Sequence, residues 1–313
     1  MARSIRLIAT CYALAAVLSS TTAAQENPAD RPNPATATQG DMLATQVLLD
    51  RAGFSPGEID GKGGANTQRA IDAYERELRT RVSGAVAAAT DPTTIQYTIT
   101  AEDAATALVN AIPEDMMAKA RLERLHYTSL LEMLGERFHA SPELLRRLNP
   151  QLRLSAGEQI VVPNAHLLAD AESKPTPGIV VRVSKGESIL TVRDSAGKVV
   201  MHAPVTSGSE HDPLPIGDWT VTGVSRYPTF NYNPDLFWDA EPSHAKAKIP
   251  PGPNNPVGAV WIDINKPHYG IHGTPEPRTV GHSTSHGCVR LTNWDALRLA
   301  AMVGKGTKVE FVE

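Results

Sequence analysis

The stretch SHGCVR at Ser285–Arg290 decides how the C-terminal part of this chain is interpreted. A second histidine-containing run, YGIHGT at Tyr269–Thr274, precedes it. The chain has two cysteines, and the other one, Cys11, falls within an apolar N-terminal run. A protein that is exported and keeps a single thiol cannot close an internal disulfide. The flanking His and Gly therefore favour a nucleophilic role for Cys288.

A thiol nucleophile needs a lowered pKa, a partner that moves protons, and donors for the oxyanion. Imidazolium beside the sulfur would lower the pKa of Cys288 from about 8.5 and make thiolate the main form. His286 lies two residues before the cysteine, whereas His272 can approach the sulfur from a separate extended run. Gly287 permits the close backbone approach that main-chain oxyanion donors require.

Two other interpretations of this segment stay open. The first is a buried structural cysteine with unremarkable histidines. The second is a metal site, because His268 and His272, like His282 and His286, are four residues apart. That spacing brings ligands together on a helix, and the glycines and prolines between these histidines argue against one. A structural zinc site also usually has more than one thiolate, so we expect no metal and no cofactor.

From Gly178 onward the sequence alternates between apolar and polar residues in short runs, which predicts a β-sandwich-like domain. The predicted strands are Ile179–Val183, Ile189–Val192, Val199–Met201, Trp219–Val221, Val260–Ile264 and Lys308–Val312. One main helix is expected from about Trp294 to Val303, with Thr292 or Asn293 as its cap and Gly304 as its end.

These motifs resemble the signature of the L,D-transpeptidase (YkuD-like) catalytic domain. The resemblance rests on IHGT at Ile271–Thr274 and SHGCVRL at Ser285–Leu291, and it extends to PLPIG at Pro213–Gly217 and IPPGPNNPVG at Ile249–Gly258. It covers residues 178–313.

The resemblance implies a role for each matching residue. Cys288 would be the acylated nucleophile, and His272 would accept and later return its proton. The main-chain carbonyl of Gly273 would orient the imidazole. Main-chain N–H groups of His286, Gly287 and Cys288 would form the oxyanion hole.

Three further residues are predicted to contact substrate. Arg290 would hold a substrate carboxylate, because a guanidinium fork suits that geometry. A solvated surface ion pair is the other reading of this arginine. Trp238 and Tyr269 would line the cleft, although core residues would look the same in the sequence.

Two small units precede this domain. Residues 41–80 resemble the three-helix peptidoglycan-binding domain through Gly53-Phe54, Ile59-Asp60-Gly61 and Ala70-Ile71, with a plain helical hairpin as the alternative. After a connector at 81–125, residues 126–165 resemble a LysM glycan-binding module, an α+β unit. Its usual Gly-Asp-Thr-Leu opening is absent after Tyr127-Thr128, so a brace between domains is equally compatible with the sequence.

The N-terminal residues 1–24 have the features of a signal peptide: arginines, a short apolar run and small residues before Gln25. A flexible linker is predicted at 25–40. With 34 acidic and 30 basic residues and no basic block, the composition argues against a nucleic-acid partner. We expect a periplasmic protein whose mature form has no membrane span.

Together these features predict an enzyme that acts on peptidoglycan stem peptides through a cysteine acyl-enzyme. It would join diamino acids of neighbouring stems or attach a wall-anchored protein or another amine. Two alternatives remain: hydrolysis by the same site, as an L,D-carboxypeptidase or amidase, and a catalytically silent peptidoglycan-binding scaffold.

Overall fold

The structure is a computed structural model that describes residues 39–167 and 174–313. The predicted signal peptide, Cys11 and most of the predicted linker lie outside the described residues. Within the described ranges, no helix is both long enough and apolar enough to cross a bilayer.

The first unit is helical, as predicted. Its helices are α1 (Gln39–Ala52), α2 (Ala65–Leu78) and α3 (Val82–Ala88). The third helix lies in the segment that the sequence suggested was a connector. The loop between α1 and α2 is fixed by the buried Gln46, whose Oε1 accepts from the N–H of Gly61 at 2.7 Å.

The second unit is a small α+β structure. It contains β1 (Thr94–Thr98), α4 (Ala101–Ala104), α5 (Met116–Lys119), α6 (Leu130–Arg137), α7 (Pro142–Leu148) and β2 (Gln159–Pro163). Because β1 pairs antiparallel with β2, this unit begins at Thr94 and not at the predicted boundary of 126. About thirty residues separate β1 from α6, so the sequence pattern did not show that the strand belongs with the helices.

The C-terminal domain is rich in β-structure with one main helix, as predicted. Its strands are β3 (Val180–Ser184), β4 (Ile189–Arg193), β5 (Val199–Pro204), β6 (Thr206–Ser207), β7 (Gly217–Arg226), β8 (Phe230–Tyr232), β9 (Ala247–Ile249), β10 (Val260–Ile264), β11 (Gly270–His272), β12 (Val289–Arg290) and β13 (Lys308–Val312). The helix α8 spans Asn293–Met302, and the side chain of Thr292 caps it by accepting from the N–H of Asp295.

Nine of these strands form one continuous sheet in the order β5-β4-β3-β13-β7-β10-β11-β12-β6. The ten-residue strand β7 joins the two halves, because it pairs with β13 on one side and with β10 on the other. One hydrophobic cluster takes buried side chains from both halves and from α8, including Val181, Ile262 and Leu299. The predicted sandwich is therefore a single sheet whose halves share a core.

The remaining strands, β8 and β9, form a separate hairpin that is covered by the second unit. Tyr232 and Ile249 of the hairpin are buried together with Leu125. The chain at Leu125 is also held by main-chain bonds, since its N–H donates to Pro251 at 3.0 Å and its carbonyl accepts from Asn254 at 3.1 Å. The segment between β1 and α6 thus packs against the C-terminal domain.

Polar contacts also join the N-terminal units to α8. The hydroxyl of Ser55 donates to Oδ2 of Asp295 at 2.8 Å, and the Nδ2 of Asn293 donates to Glu136 at 2.8 Å. His139 stacks on the ring of Trp294 with centroids 5.2 Å apart. The three units are therefore packed as one structure around the start of this helix.

The junction contains a buried carboxyl group, that of Asp295, whose pKa is shifted. Its side chain is buried, and burial raises its pKa from 3.8 to about 6 despite the hydrogen bonds from Thr292 and Ser55. An acid with a raised pKa in the folded state binds its proton more tightly there than in the unfolded chain. Its contribution to stability is therefore complete below about pH 3.8, declines between that value and about pH 6, and is absent above it.

We predict that Asp295→Asn removes this decline, because the amide oxygen can still accept from both hydroxyls without carrying charge. At pH 7.5 the variant should be more stable than the parent by about 1–3 kcal/mol, with little difference at pH 4. Urea unfolding at the two pH values measures both quantities. Asp218→Asn, at an exposed position of β7, is the matched control. An equal difference at the two pH values would contradict the assignment.

Candidate active site

The site is built on the pairing of two short strands. β11 and β12 run parallel, with Ile271 opposite Val289 and His272 opposite Arg290. Ile271 and Val289 point into the core and are fully buried. Because side chains alternate along a strand, His272, Arg290 and the preceding Cys288 lie on the other face. The parallel register therefore brings the predicted nucleophile and the predicted base to one surface.

The imidazole of His272 is held in one orientation. Its Nδ1–H donates to the main-chain carbonyl of Gly273 at 2.6 Å, which leaves Nε2 unprotonated as the acceptor. Trp261, its cross-strand partner on β10, stacks on the ring with centroids 5.5 Å apart and planes at 19°. These contacts engage Nδ1 and the face of the ring. Nε2 is therefore the nitrogen that can accept a proton from a thiol.

The turn that carries Cys288 is fixed by hydrogen bonds of Ser285. This buried hydroxyl donates to the carbonyl of Cys288 at 2.6 Å and accepts from the N–H of Gly208 at 2.8 Å. Gly287 has φ +89°, and a Cβ there would lie 2.5 Å from the ring of Tyr269. Only glycine fits this position, for both its backbone angle and its space. The Cys288 thiol contacts the carbonyl of His268 at 3.7 Å.

The electrostatics of the pair differ from the sequence prediction. Burial raises the pKa of the Cys288 thiol to about 11, an effect that main-chain hydrogen bonding at Gly270 and the charge of Arg290 offset only in part. Burial, with the charge of Arg290, lowers the pKa of His272 to about 3. Both shifts favour a neutral thiol and a neutral imidazole in the free protein, in contrast to the expected thiolate.

His286 does not face the sulfur with its ring. Its Nε2 donates to the carboxylate of Asp239 at 2.8 Å, and the ring packs against Phe237 with centroids 5.1 Å apart. Within the described part of the chain, no hydrogen bond engages the main-chain N–H of His286 or Gly287. The contribution that this histidine offers to the site is thus its backbone.

Arg290 is not part of a surface ion pair. Its Nε is buried without a hydrogen-bond partner among the described residues, and burial lowers the pKa of the guanidinium although Glu276 acts against that effect. A cation held in this way beside Cys288 can receive an anionic group.

The two predicted aromatic residues occupy different positions. Tyr269 packs directly against the nucleophile turn through Gly287. Trp238 is 61% exposed and stacks on His211 with centroids 4.4 Å apart. Tyr269 therefore lies against the nucleophile turn, whereas Trp238 lies at the surface beside His211.

Three residues of the site were absent from the sequence prediction. Trp261 orients the imidazole, Ser285 fixes the turn, and Asp212 places a carboxylate near Cys288 and Tyr269. Ser285 lies inside the motif SHGCVR, so its position in the sequence could have indicated that it belongs to the site. Trp261 required the strand register, and Asp212 required the fold of a separate loop. Among the described residues, no group of three potential ligands is arranged to hold a metal ion.

Comparison with known proteins agrees with this geometry. Residues 178–311 match the family model of the L,D-transpeptidase catalytic domain, YkuD. The chain is 30% identical over 181 residues to the putative L,D-transpeptidase YkuD of Bacillus subtilis, covering 57% of this chain and 91% of that protein. It is 31% identical over 163 residues to the probable L,D-transpeptidase YbiS of Escherichia coli, where the match spans half of each protein.

A solved structure is also similar. L,D-transpeptidase 3 from Mycobacterium tuberculosis, in complex with a faropenem-derived adduct, is 18% identical over 50% of this chain and 75% of its own, with a TM-score of 0.37. A similarity at that score does not establish a shared fold by itself. The assignment rests on the family model and on the Bacillus subtilis relative, nine-tenths of which this chain covers. The chain therefore belongs to the L,D-transpeptidase family that is defined by the YkuD catalytic domain.

Proposed function

We propose that this protein is an exported L,D-transpeptidase that uses Cys288 as its nucleophile and His272 as its general base. The observation that carries the proposal is the placement of Cys288, His272 and Arg290 on one face of a parallel strand pair, with His272 fixed by the carbonyl of Gly273. The substrate would be a peptidoglycan stem peptide, cleaved at the amide between the diamino acid and the terminal D-alanine.

The first step begins from neutral groups. As the sulfur adds to the substrate carbonyl, the thiol proton moves to Nε2 of His272, so charge develops only in the transition state. The oxyanion accepts hydrogen bonds from the main-chain N–H groups of His286 and Gly287. The C–N bond then breaks, the proton on His272 passes to the leaving amine, and D-alanine departs from a thioester on Cys288.

The second step reverses the proton movement. An acceptor amine attacks the thioester carbon, His272 takes a proton from the nitrogen, and the C–S bond breaks. The proton returns to sulfur and restores the resting enzyme. If water attacks in place of the amine, the same site is a hydrolase, and the identity of the attacking group decides between the two activities.

The unpaired guanidinium of Arg290 supports binding of a substrate carboxylate. Its Nε is a buried donor without a partner, and a buried donor that makes no hydrogen bond costs about 1–3 kcal/mol. A carboxylate of the stem peptide would satisfy it. The position of Arg290 opposite His272 would place that carboxylate next to the reacting carbonyl.

The upstream units would serve the same substrate. We propose that residues 41–80 and the α+β unit around 126–165 hold the enzyme on the wall, and their packing on α8 supports a bracing role as well. Residues 1–24 would direct the chain to the periplasm. Pulldown of the full chain with purified sacculi tests wall binding.

The function is tested by mass spectrometry of muropeptides after incubation with tetrapeptide-containing fragments. Dimers joined through two diamino acids would support transpeptidation, and shortened monomers alone would identify a hydrolase. No change in either product, with a folded protein, would reject the proposed activity in favour of a silent scaffold.

We expect Cys288→Ala to abolish the covalent adduct that a carbapenem forms on the thiol, because no other cysteine remains after the predicted leader is removed. The adduct is measured as a mass shift of the intact protein. His282→Ala, at an exposed histidine of the preceding loop, should form the adduct at the parental rate. An adduct on Cys288→Ala would overturn the nucleophile assignment.

The neutral resting pair predicts a particular pH profile for alkylation of Cys288. With a thiol pKa of about 11, the rate of reaction with iodoacetamide should rise steadily from pH 7 to pH 10 without a plateau. Peptide mass spectrometry of the segment that carries Cys288 gives the rate. A preformed thiolate–imidazolium pair would instead give a rate that is already constant above about pH 6, and that result would contradict the structure.

A further inference from the structure

A buried amide at the start of α8 lies against the peptide that orients His272. We call the peptide group between Gly273 and Thr274 the orienting peptide, because its carbonyl accepts from Nδ1–H of the imidazole at 2.6 Å. Asn293 is fully buried, and a Cβ added at Gly273 would lie 2.3 Å from its Oδ1. The amide of Asn293 is therefore in direct contact with the residue that fixes the imidazole.

The oxygen of this amide fixes the turn that packs against the orienting peptide. Oδ1 of Asn293 accepts from the N–H of Ala259 at 2.8 Å. A Cβ added at the preceding Gly258 would lie 2.5 Å from the carbonyl carbon of Gly273, so the turn and the peptide are in contact. The N–H of Gly273 also donates to the carbonyl of Val260 at 3.1 Å. The orienting peptide is thus enclosed by a turn that depends on the asparagine.

Two acceptors fix the nitrogen end of the amide. Nδ2 of Asn293 donates to Oε2 of Glu136 at 2.8 Å and to the carbonyl of Pro253 at 3.1 Å. A primary amide offers one oxygen acceptor and one NH2 donor group. The flipped amide would place its oxygen against the carbonyl of Pro253 and its NH2 against the N–H of Ala259. The amide therefore has one orientation, and the carboxyl group of Glu136 is its side-chain acceptor.

This acceptor comes from the second unit and not from the C-terminal domain. Glu136 lies in α6, and its Oε1 accepts from the hydroxyl of Tyr127, also of that unit, at 3.0 Å. Burial raises the pKa of Glu136 to about 7, although the hydrogen bonds from Asn293 and Tyr127 act against this effect. Carboxyl groups whose pKa is shifted this far are concentrated at functional sites.

We propose that Glu136 and Asn293 are positioning residues for the catalytic base: Glu136 fixes the amide of Asn293, and the amide fixes the orienting peptide that binds His272. This inference rests on the proposed function, in which His272 is the general base. It gives the second unit a part in catalysis in addition to wall binding or bracing. The hydrogen bond at Nδ1 decides which nitrogen of the imidazole carries the proton, so a displaced orienting carbonyl would leave Nε2 poorly placed to take one.

Two reactions of the same thiol separate the position of the base from general damage. In acylation by a carbapenem, the sulfur of Cys288 bonds to the lactam carbonyl carbon while its proton moves to Nε2 of His272. The lactam C–N bond then breaks, and the proton passes to the ring nitrogen. Alkylation by iodoacetamide at pH 10 uses thiolate that hydroxide has formed, so it needs no general base. The ratio of the two rate constants therefore reports the placement of His272.

Asn293→Ala in the full chain should lower the rate constant of carbapenem acylation at pH 7.5 by about tenfold to a hundredfold, because a small displacement of a catalytic group has an effect of this size. Alkylation at pH 10 should stay within about twofold of the parent, since the thiolate reacts without the base. Intact-protein mass spectrometry measures both rates. A loosened or partly unfolded site would instead expose the thiol and raise the rate of alkylation.

Substitutions of Glu136 test the contribution of the second unit. Glu136→Leu removes the acceptor at similar volume and should lower the ratio of acylation to alkylation by about threefold to tenfold, because the carbonyl of Pro253 still accepts from Asn293. Glu136→Gln should restore most of the parental ratio. Its amide oxygen can accept from Asn293 while its NH2 donates to the hydroxyl oxygen of Tyr127.

Ser55→Ala is the matched control for packing of the N-terminal units on α8. It removes the hydrogen bond to Asp295, two residues beyond Asn293, and should keep the parental ratio. Nuclear magnetic resonance of protein labelled with ¹⁵N-histidine gives an independent signature. The Nδ1–H signal of His272 should be protected from exchange in the parent and in Ser55→Ala, and it should be lost in Asn293→Ala.

An unchanged ratio in Asn293→Ala, or an equal loss in Ser55→Ala, overturns the proposal. If Asn293→Ala does not fold, Glu136→Leu and Glu136→Gln decide the question, and an unchanged ratio in Glu136→Leu overturns it. A parent protein that forms no carbapenem adduct would instead reject the proposed function itself, so the two failures are distinguishable.

Discussion

The parallel pairing of β11 with β12 is the constraint on which the active site depends. Each strand contributes two or three residues, and one residue of each is fully buried in the core. Burial of Ile271 and Val289 fixes the register, because a slip by one residue in either strand would turn its apolar side chain away from the core. The same register turns His272, Cys288 and Arg290 to the other face. The hydrophobic core thus sets the catalytic geometry.

A neutral thiol and a neutral imidazole follow from the same burial that fixes their positions. Withdrawal from water penalises the thiolate and the imidazolium alike, and the nearby guanidinium stabilises the first while it opposes the second. Burial therefore favours uncharged forms of both reactive groups before a substrate carbonyl is bound. Reactivity would depend on substrate binding, and a stray electrophile would meet a weak nucleophile.

Much of the fold and of the candidate site could be predicted from the sequence wherever the pattern is local. Short runs of residues were sufficient to predict the strands from Val180 to Arg193 and the cap at Thr292. The roles suggested for Cys288 and His272 come from equally short motifs and stay predictions. The start of the second unit at Thr94 could not be predicted, because a long insertion separates β1 from its partner β2. Trp261 and Asp212 reach the site through strand register and loop return, which a linear pattern does not encode. The pKa of the thiol shifts upward and not in the expected direction, because burial, which the sequence does not show, outweighs the nearby cation.

The cover that Leu125 provides for the β8–β9 hairpin has a consequence for inhibitor discovery. A fragment that begins at residue 178 would keep the whole family match but would expose Tyr232 and Ile249. The loop that carries Asp239, which contacts His286, would then lose the residues that pack behind it. Such a fragment would present the surface around His286 in a shape that the intact protein does not have. Compounds ranked on it would be ranked against the wrong surface.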